Sequence, residues 1–92
     1  MQPRPMRELS GVQRDLVAAV GARPAGNGRE IWTAIEQLRQ ETIKDATVYR
    51  NLDELAEQGL VAKDTGGAEN QYRLTLEGRD LLDREADWLA EI

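Results

Sequence analysis

The 92-residue sequence has no cysteine, no histidine and no phenylalanine. Without Cys there is no disulfide, no thiol nucleophile and no thiolate metal site. Without His the commonest general base and the commonest transition-metal ligand are gone. Aromatic residues make up only 4% of the chain, two Trp and two Tyr. No apolar run approaches the roughly 20 residues that span a bilayer. The opening Met-Gln-Pro-Arg-Pro-Met-Arg lacks the apolar stretch of a signal peptide. These absences lead to the expectation of one soluble, cytoplasmic, non-enzymatic domain without metal or other cofactor and without a membrane partner.

Lysine is scarce as well: ten of the twelve basic residues are Arg, and the two Lys are Lys44 and Lys63. Against them stand 17 acidic residues, for a net charge of −5. Such a balance argues against a nucleic-acid partner on its face, since phosphate binding usually shows as excess Lys and Arg. The charge is unevenly spread. Residues 1–29 carry five Arg against Glu8 and Asp15, whereas residues 30–60 carry seven acids against three bases. Residues 61–79 are balanced, and residues 80–92 set Arg84 against five acids. An acidic, Lys-poor composition resembles that of proteins from salt-loving microbes (halophiles), and ordinary variation in a short chain also produces it.

The pattern of apolar residues divides the chain into an arm at 1–8, a body at 9–74 and a C-terminal helix at 75–92. Arg4 and Arg7 give the arm the charge to enter a minor groove. Ser10-Gly11-Val12-Gln13 fits a capping box, and Leu9, Val12, Leu16, Val17 and Val20 follow at helical spacing. Gly21 to Gly26, with Pro24, is expected to break that helix. Asn27-Gly28-Arg29-Glu30 is a second cap, followed by an apolar face of Ile31, Ala34, Ile35 and Leu38. Gln40 to Lys44 reads as a short polar connection. Asp45 is the expected N-cap of a third helix with Val48, Leu52, Leu55 and Ala56 inward. Gly59 stands where a C′ glycine belongs, with Leu60 as its apolar partner. Leu60–Asp64 and Asn70–Leu74 read as two strands joined by Thr65-Gly66-Gly67-Ala68-Glu69. Thr75 opens the last helix, which runs to Ile92. Trp32 and Trp88 fall beside the apolar faces of their helices, where packing is their ordinary role.

Three helices, a hairpin and a helix give a mainly α chain with a small β-hairpin (α+β), the winged helix-turn-helix arrangement. In it the third helix enters the major groove and the hairpin, or wing, reaches the backbone or minor groove. With Val48, Leu52 and Leu55 inward, Thr47, Tyr49, Arg50 and Asn51 are left as the reading set, with Lys44 just before them. Arg suits guanine, Asn suits adenine, and Thr can meet the thymine methyl. The Tyr49 hydroxyl suits a phosphate oxygen. Asp45 is expected to cap the helix, and Asp53 and Glu54 to point away from the groove. The wing set is Lys63, Gly66, Gly67, Asn70, Gln71 and Arg73, with Tyr72 and Leu74 buried. Leu81, Leu82, Ala86, Trp88, Leu89 and Ile92 form the expected dimer face. Double-stranded DNA and a second copy of the chain are the expected partners. A winged-helix module that binds protein is the competing reading.

Ala46-Thr47-Val48-Tyr49-Arg50-Asn51-Leu52, then Leu55 and Gln58-Gly59-Leu60-Val61, resembles the recognition-helix stretch of PadR-like transcriptional regulators. Tyr72-Arg73-Leu74-Thr75-Leu76-Glu77-Gly78-Arg79 resembles the family's passage from wing to C-terminal helix. The resemblance covers residues 9 to about 92. It implies a dimeric DNA-binding repressor in which Tyr49 touches backbone and Thr47 lies in the groove. The chain departs from the family at Asn51, where Pro is common. It also ends in one helix in place of a multi-helix dimerisation segment. A small-molecule effector is left open.

Overall fold

The computed structural model describes residues 10–23 and 25–90, with side chains through residue 84. The order is α1 (Gly11–Ala22), β1 (Gly26–Asn27), α2 (Gly28–Arg39), α3 (Asp45–Glu57), β2 (Val61–Asp64), β3 (Gln71–Leu74) and α4 (Leu76–Ala90). The architecture is the winged helix-turn-helix expected from the residue pattern.

Local chemistry sets most of the helix boundaries. At the start of α1 the Gln13 amide donates to Ser10 Oγ at 3.1 Å, and Ser10 N–H donates to Gln13 Oε1 at 3.4 Å. At the start of α2 the Glu30 amide donates to Asn27 Oδ1 at 2.8 Å, and Asn27 N–H donates to Glu30 Oε1 at 3.0 Å. Each box satisfies two amides that a helix start leaves without partners. At the end of α3, Gly59 takes φ +80°. Leu60 N–H bonds Leu55 O at 3.0 Å and Gly59 N–H bonds Ala56 O at 3.1 Å, the two bonds of a Schellman ending. Thr75 joins three elements. Its hydroxyl donates to Gly59 O at 2.6 Å and accepts from Gly78 N–H at 3.0 Å, and its own N–H bonds Leu60 O at 3.1 Å.

Helix α1 does end inside the stretch from Gly21 to Gly26, at Ala22, one residue past Gly21; Pro24 lies outside the described residues. Several other expectations are corrected. Asp45 is not the N-cap of α3. Lys44 holds that position without a side-chain bond, and Asp45 Oδ1 accepts only from Ala46 N–H at 2.7 Å. Leu38, placed on the inner face of α2, is 54% exposed. The sheet has three antiparallel strands in the order β1-β3-β2, because Gly26 and Asn27 pair with Tyr72 and Gln71. The wing is thereby tied to the start of α2.

Leu16, Val17 and Val20 of α1 meet Ile31 and Ile35 of α2 and Val48, Leu52 and Leu55 of α3, with Leu60, Val61 and Tyr72 closing the core. The α2–α3 connection also has a buried residue, Ile43. Its carbonyl accepts from Trp32 Nε1 at 2.7 Å and its amide donates to Glu36 Oε2 at 3.0 Å. Those two bonds fix the angle at which α3 leaves α2. Trp32 is therefore a packing and pinning residue. Among the described residues, no helix is long and apolar enough to cross a membrane.

Candidate nucleic-acid interface

The core decides which side of α3 is free. Val48, Leu52 and Leu55 are fully buried, so Tyr49, Arg50 and Asp53 lie on the outer side and are exposed, with Thr47 half-buried. Lys44 is exposed just before the helix. Lys44 and Arg50 make no ion pair among the described residues. One exposed cation, Arg50, and two hydroxyls, those of Thr47 and Tyr49, thus share the first two turns of the helix, with Lys44 just before them.

Asn51 is a correction. It is only 8% exposed. Its Nδ2 donates to Thr47 O at 2.8 Å, and its Oδ1 accepts from Gln13 Nε2 at 3.2 Å. Gln13 Nε2 also donates to Glu54 Oε2 at 2.7 Å. Both side chains therefore fasten α3 to α1, and Asn51 is turned inward with little surface left to offer a base. Replacing Asn51 with Ala is expected to cost about 1–2 kcal/mol of stability, the scale of bonds lost from a buried amide. The base preference should be unchanged. Denaturant melts and selection of bound duplexes check the two halves.

Between the start of α2, the outer side of α3 and the wing lies a cleft of about 340 Å³. Arg29, Tyr49, Asp53, Lys63, Asn70 and Tyr72 line it. The Tyr49 ring rests on Gly28, whose absent Cβ leaves room for it; an added Cβ would lie 2.9 Å from Tyr49 Cζ. Tyr49 thus packs against α2 and keeps 38% of its surface exposed. Asn27 Nδ2 donates to Glu69 Oε2 at 2.7 Å, joining the wing to the cap of α2. Asp53 does not point away from this side: its Oδ1 lies 3.6 Å from Lys63 Nζ. Glu54 does turn away, towards α1.

The wing set is divided between two faces. Cross-strand partners share a face, and Lys63 pairs with Tyr72, Ala62 with Arg73, and Asp64 with Gln71. Lys63 and buried Tyr72 therefore face α3, while Arg73 and Gln71 stand exposed on the opposite face. Asn70 borders the cleft, and Gly66 and Gly67 are exposed at the tip. Gly66 N–H donates to Asp64 Oδ1 at 3.0 Å. Leu74 is half-buried.

Burial pushes the Tyr72 phenol above the usual tyrosine value; Asp53 and Tyr49 push the same way, and a hydrogen bond with Asn70 opposes them. The folded chain then holds this proton to higher pH than the unfolded chain does. The contribution to stability is full below about pH 10 and is lost as pH rises through the folded value. Denaturant midpoints across alkaline pH should fall accordingly, and Tyr72→Phe should flatten that fall.

Residues 17–84 match the Transcriptional regulator PadR-like family. The chain belongs to the PadR-like family. Solved structures of transcription regulators share the fold. The H. salinarum RosR structure grown from NaBr is 29% identical to this PadR-like chain. It superposes with a TM-score of 0.84 over 92% of this chain and 77% of its own. BpsR of Bordetella bronchiseptica is 21% identical, with a TM-score of 0.76 over 98% of this chain and 62% of its own. The PcaV transcriptional regulator of Streptomyces coelicolor is 23% identical, with a TM-score of 0.73 over 91% and 57%. No curated protein matches the chain. The family and fold support a DNA-binding transcription regulator.

For this PadR-like regulator the expected dimer face is only partly in view. Leu81 and Leu82 are half-buried and pack against the chain's own core, with Leu82 close to Gly21. The side chains of Ala86, Trp88 and Leu89, and all of Ile92, lie outside the described residues, as does the arm with Arg4 and Arg7. Arg29 and Asp53 line the cleft, although neither belongs to the set expected from the sequence. Asp53 follows Tyr49 by four positions and so shares its stripe, a spacing visible in the sequence. No comparable signal brings Arg29 to the wing, because β1 creates that juxtaposition.

Proposed function

We propose that this chain binds double-stranded DNA as a homodimer and represses transcription by covering promoter sequence. Helix α3 lies in the major groove, and the wing lies against the backbone or minor groove. The observation that carries the reading is the outer side of α3, where Tyr49 shares a cleft with the wing residues Lys63 and Asn70, Arg50 is exposed next to it, Thr47 is half-buried, and Lys44 stands at the helix start. Arg50 reads a base edge, Thr47 packs on a neighbouring one, and Tyr49 and Lys44 hold phosphates. Association through the later turns of α4 sets two copies of α3 about 34 Å apart, one helical turn of DNA. In the cytoplasm of a halophile the Debye length falls to roughly 3 Å at 1 M salt. The distant acid then repels DNA little.

Exposed Asp53, Glu54 and Glu57 favour a second reading, a docking module for a basic protein surface. Selection of bound duplexes from a random pool, repeated at low and high salt, separates the two. A recovered pseudo-palindrome supports the DNA reading. Absence of duplex binding even at low salt contradicts it and favours the protein partner.

A further inference from the structure

A helix in the major groove and a wing in the adjoining minor groove straddle one phosphate backbone, since a backbone is what separates the two grooves. In this chain the space between helix and wing is the cleft, and its ionisable groups decide how that backbone is received. Lys63 and Arg29 are the cations there, and Asp53 and Glu69 are the anions. Glu69 accepts a hydrogen bond from Asn27. Asp53 stands 3.6 Å from Lys63, with 59% of its side chain exposed and 34% of the Lys63 side chain exposed. An ion pair this open contributes little to folding, so it is not needed to hold the wing. Register already fixes Lys63 opposite Tyr72.

We infer that Asp53 is an affinity-limiting residue: it neutralises Lys63 and presents a carboxylate to the phosphate run, keeping DNA binding weaker than the fold allows. The inference rests on the DNA-binding reading and adds a regulator to the same surface. A Lys engaged by a neighbouring carboxylate releases no counterion from DNA, so the pair lowers both the affinity and its dependence on salt. The residue that would most strengthen binding is then a Lys already present and held in reserve. Such weakening suits a regulator that must leave its sites, because mutational changes of affinity fall mainly on the dissociation rate.

The test is an anisotropy titration of a labelled mixed-sequence duplex over a series of salt concentrations. It uses the parent chain, Asp53→Asn, the Asp53→Asn/Lys63→Ala double variant and Asp80→Asn. Asp80 pairs with Arg84 on α4 at 2.8 Å, so its variant makes the same change in net charge elsewhere. Asp53→Asn is expected to bind about fivefold tighter at low salt and to steepen the log–log salt slope by about 0.9. The double variant should return to the parent's affinity and slope, and Asp80→Asn should leave both unchanged. Thermal melts confirm that the exposed substitutions leave the fold intact, and Asp53→Ser should repeat the sign of Asp53→Asn. An Asp53→Asn affinity equal to the parent's, a gain that survives Lys63→Ala, or an equal gain from Asp80→Asn overturns the inference. A parent chain that binds no duplex overturns the DNA-binding reading itself, an outcome distinct from any of these.

Discussion

Gly78→Ala is expected to cost about 3 kcal/mol of stability and lower the thermal midpoint by roughly 10–20 °C. Gly78 lies in the first turn of α4, where a Cβ would run into the backbone oxygen of Leu60 and also meet Leu74 Cδ2 at 3.3 Å. That oxygen has nowhere to go. It accepts from Thr75 N–H at 3.1 Å, and Leu60 is itself held by the bond from its amide to Leu55 O. Relief requires either α4 or the α3–β2 junction to move, which pulls on the Thr75 bonds to Gly59 and Gly78. The helix propensity gained by Ala, up to about 1 kcal/mol, offsets only part of this. Gly67→Ala is the matched control. At the wing tip an added Cβ meets only Glu69 O at 3.7 Å, an ordinary contact. Differential scanning calorimetry of the two variants should therefore show a large drop for one and almost none for the other.

The second large effect is on DNA binding. Arg50→Ala should weaken binding to a selected duplex by about 1–3 kcal/mol and relax preference at one base position. Lys44→Ala should weaken all sequences about equally and reduce the salt slope by about one. The difference follows from placement. Arg50 projects from the exposed side of α3 in its second turn, whereas Lys44 precedes the helix. Neither substitution should alter the melt, because neither side chain is buried or ion-paired among the described residues. Competition titrations against point variants of the selected duplex would separate a base contact from a phosphate contact. Equal losses on every variant for Arg50→Ala would assign it to the backbone.

Most features decided within a few residues of chain were readable in advance, the start of α3 at Lys44 in place of Asp45 being the exception. Ser10 with Gln13, Asn27 with Glu30, and Gly59 with Leu60 each satisfy backbone groups at a helix end by contacts close in sequence, and the structure shows all three. What escaped depends on partners far along the chain. The polar side chain of Asn51 is compatible with a groove, and only Gln13, 38 positions earlier, draws it inward. The two residues of β1 carry too little pattern to mark a strand; their pairing with Gln71 and Tyr72 makes them one. Alternation along β3 correctly separated Arg73 from Tyr72, but the cross-strand register was needed to place Lys63 on the α3 side. Leu38 matches the apolar period of α2, yet it lies in the last turn of that helix, after the buried Ile31 and Ile35, and is exposed.

The net charge of −5 now has a more local meaning. The acids near the proposed contact surface differ in role: Asp45 bonds the adjacent amide, Glu54 ties α3 to α1, Glu69 fastens the wing, and Asp53 opposes Lys63. Only the last stands directly against a cation of the contact surface.

The central claim is that the outer side of α3 and the adjoining wing form the surface that meets DNA. Amide chemical-shift changes on adding a selected duplex test it residue by residue. The account predicts the largest changes at Lys44, Thr47, Tyr49, Arg50, Lys63 and Asn70, with small ones along the α1 face that Gln13 and Asn51 join. Changes confined to α1 and α4, with α3 and the wing unmoved, would contradict it.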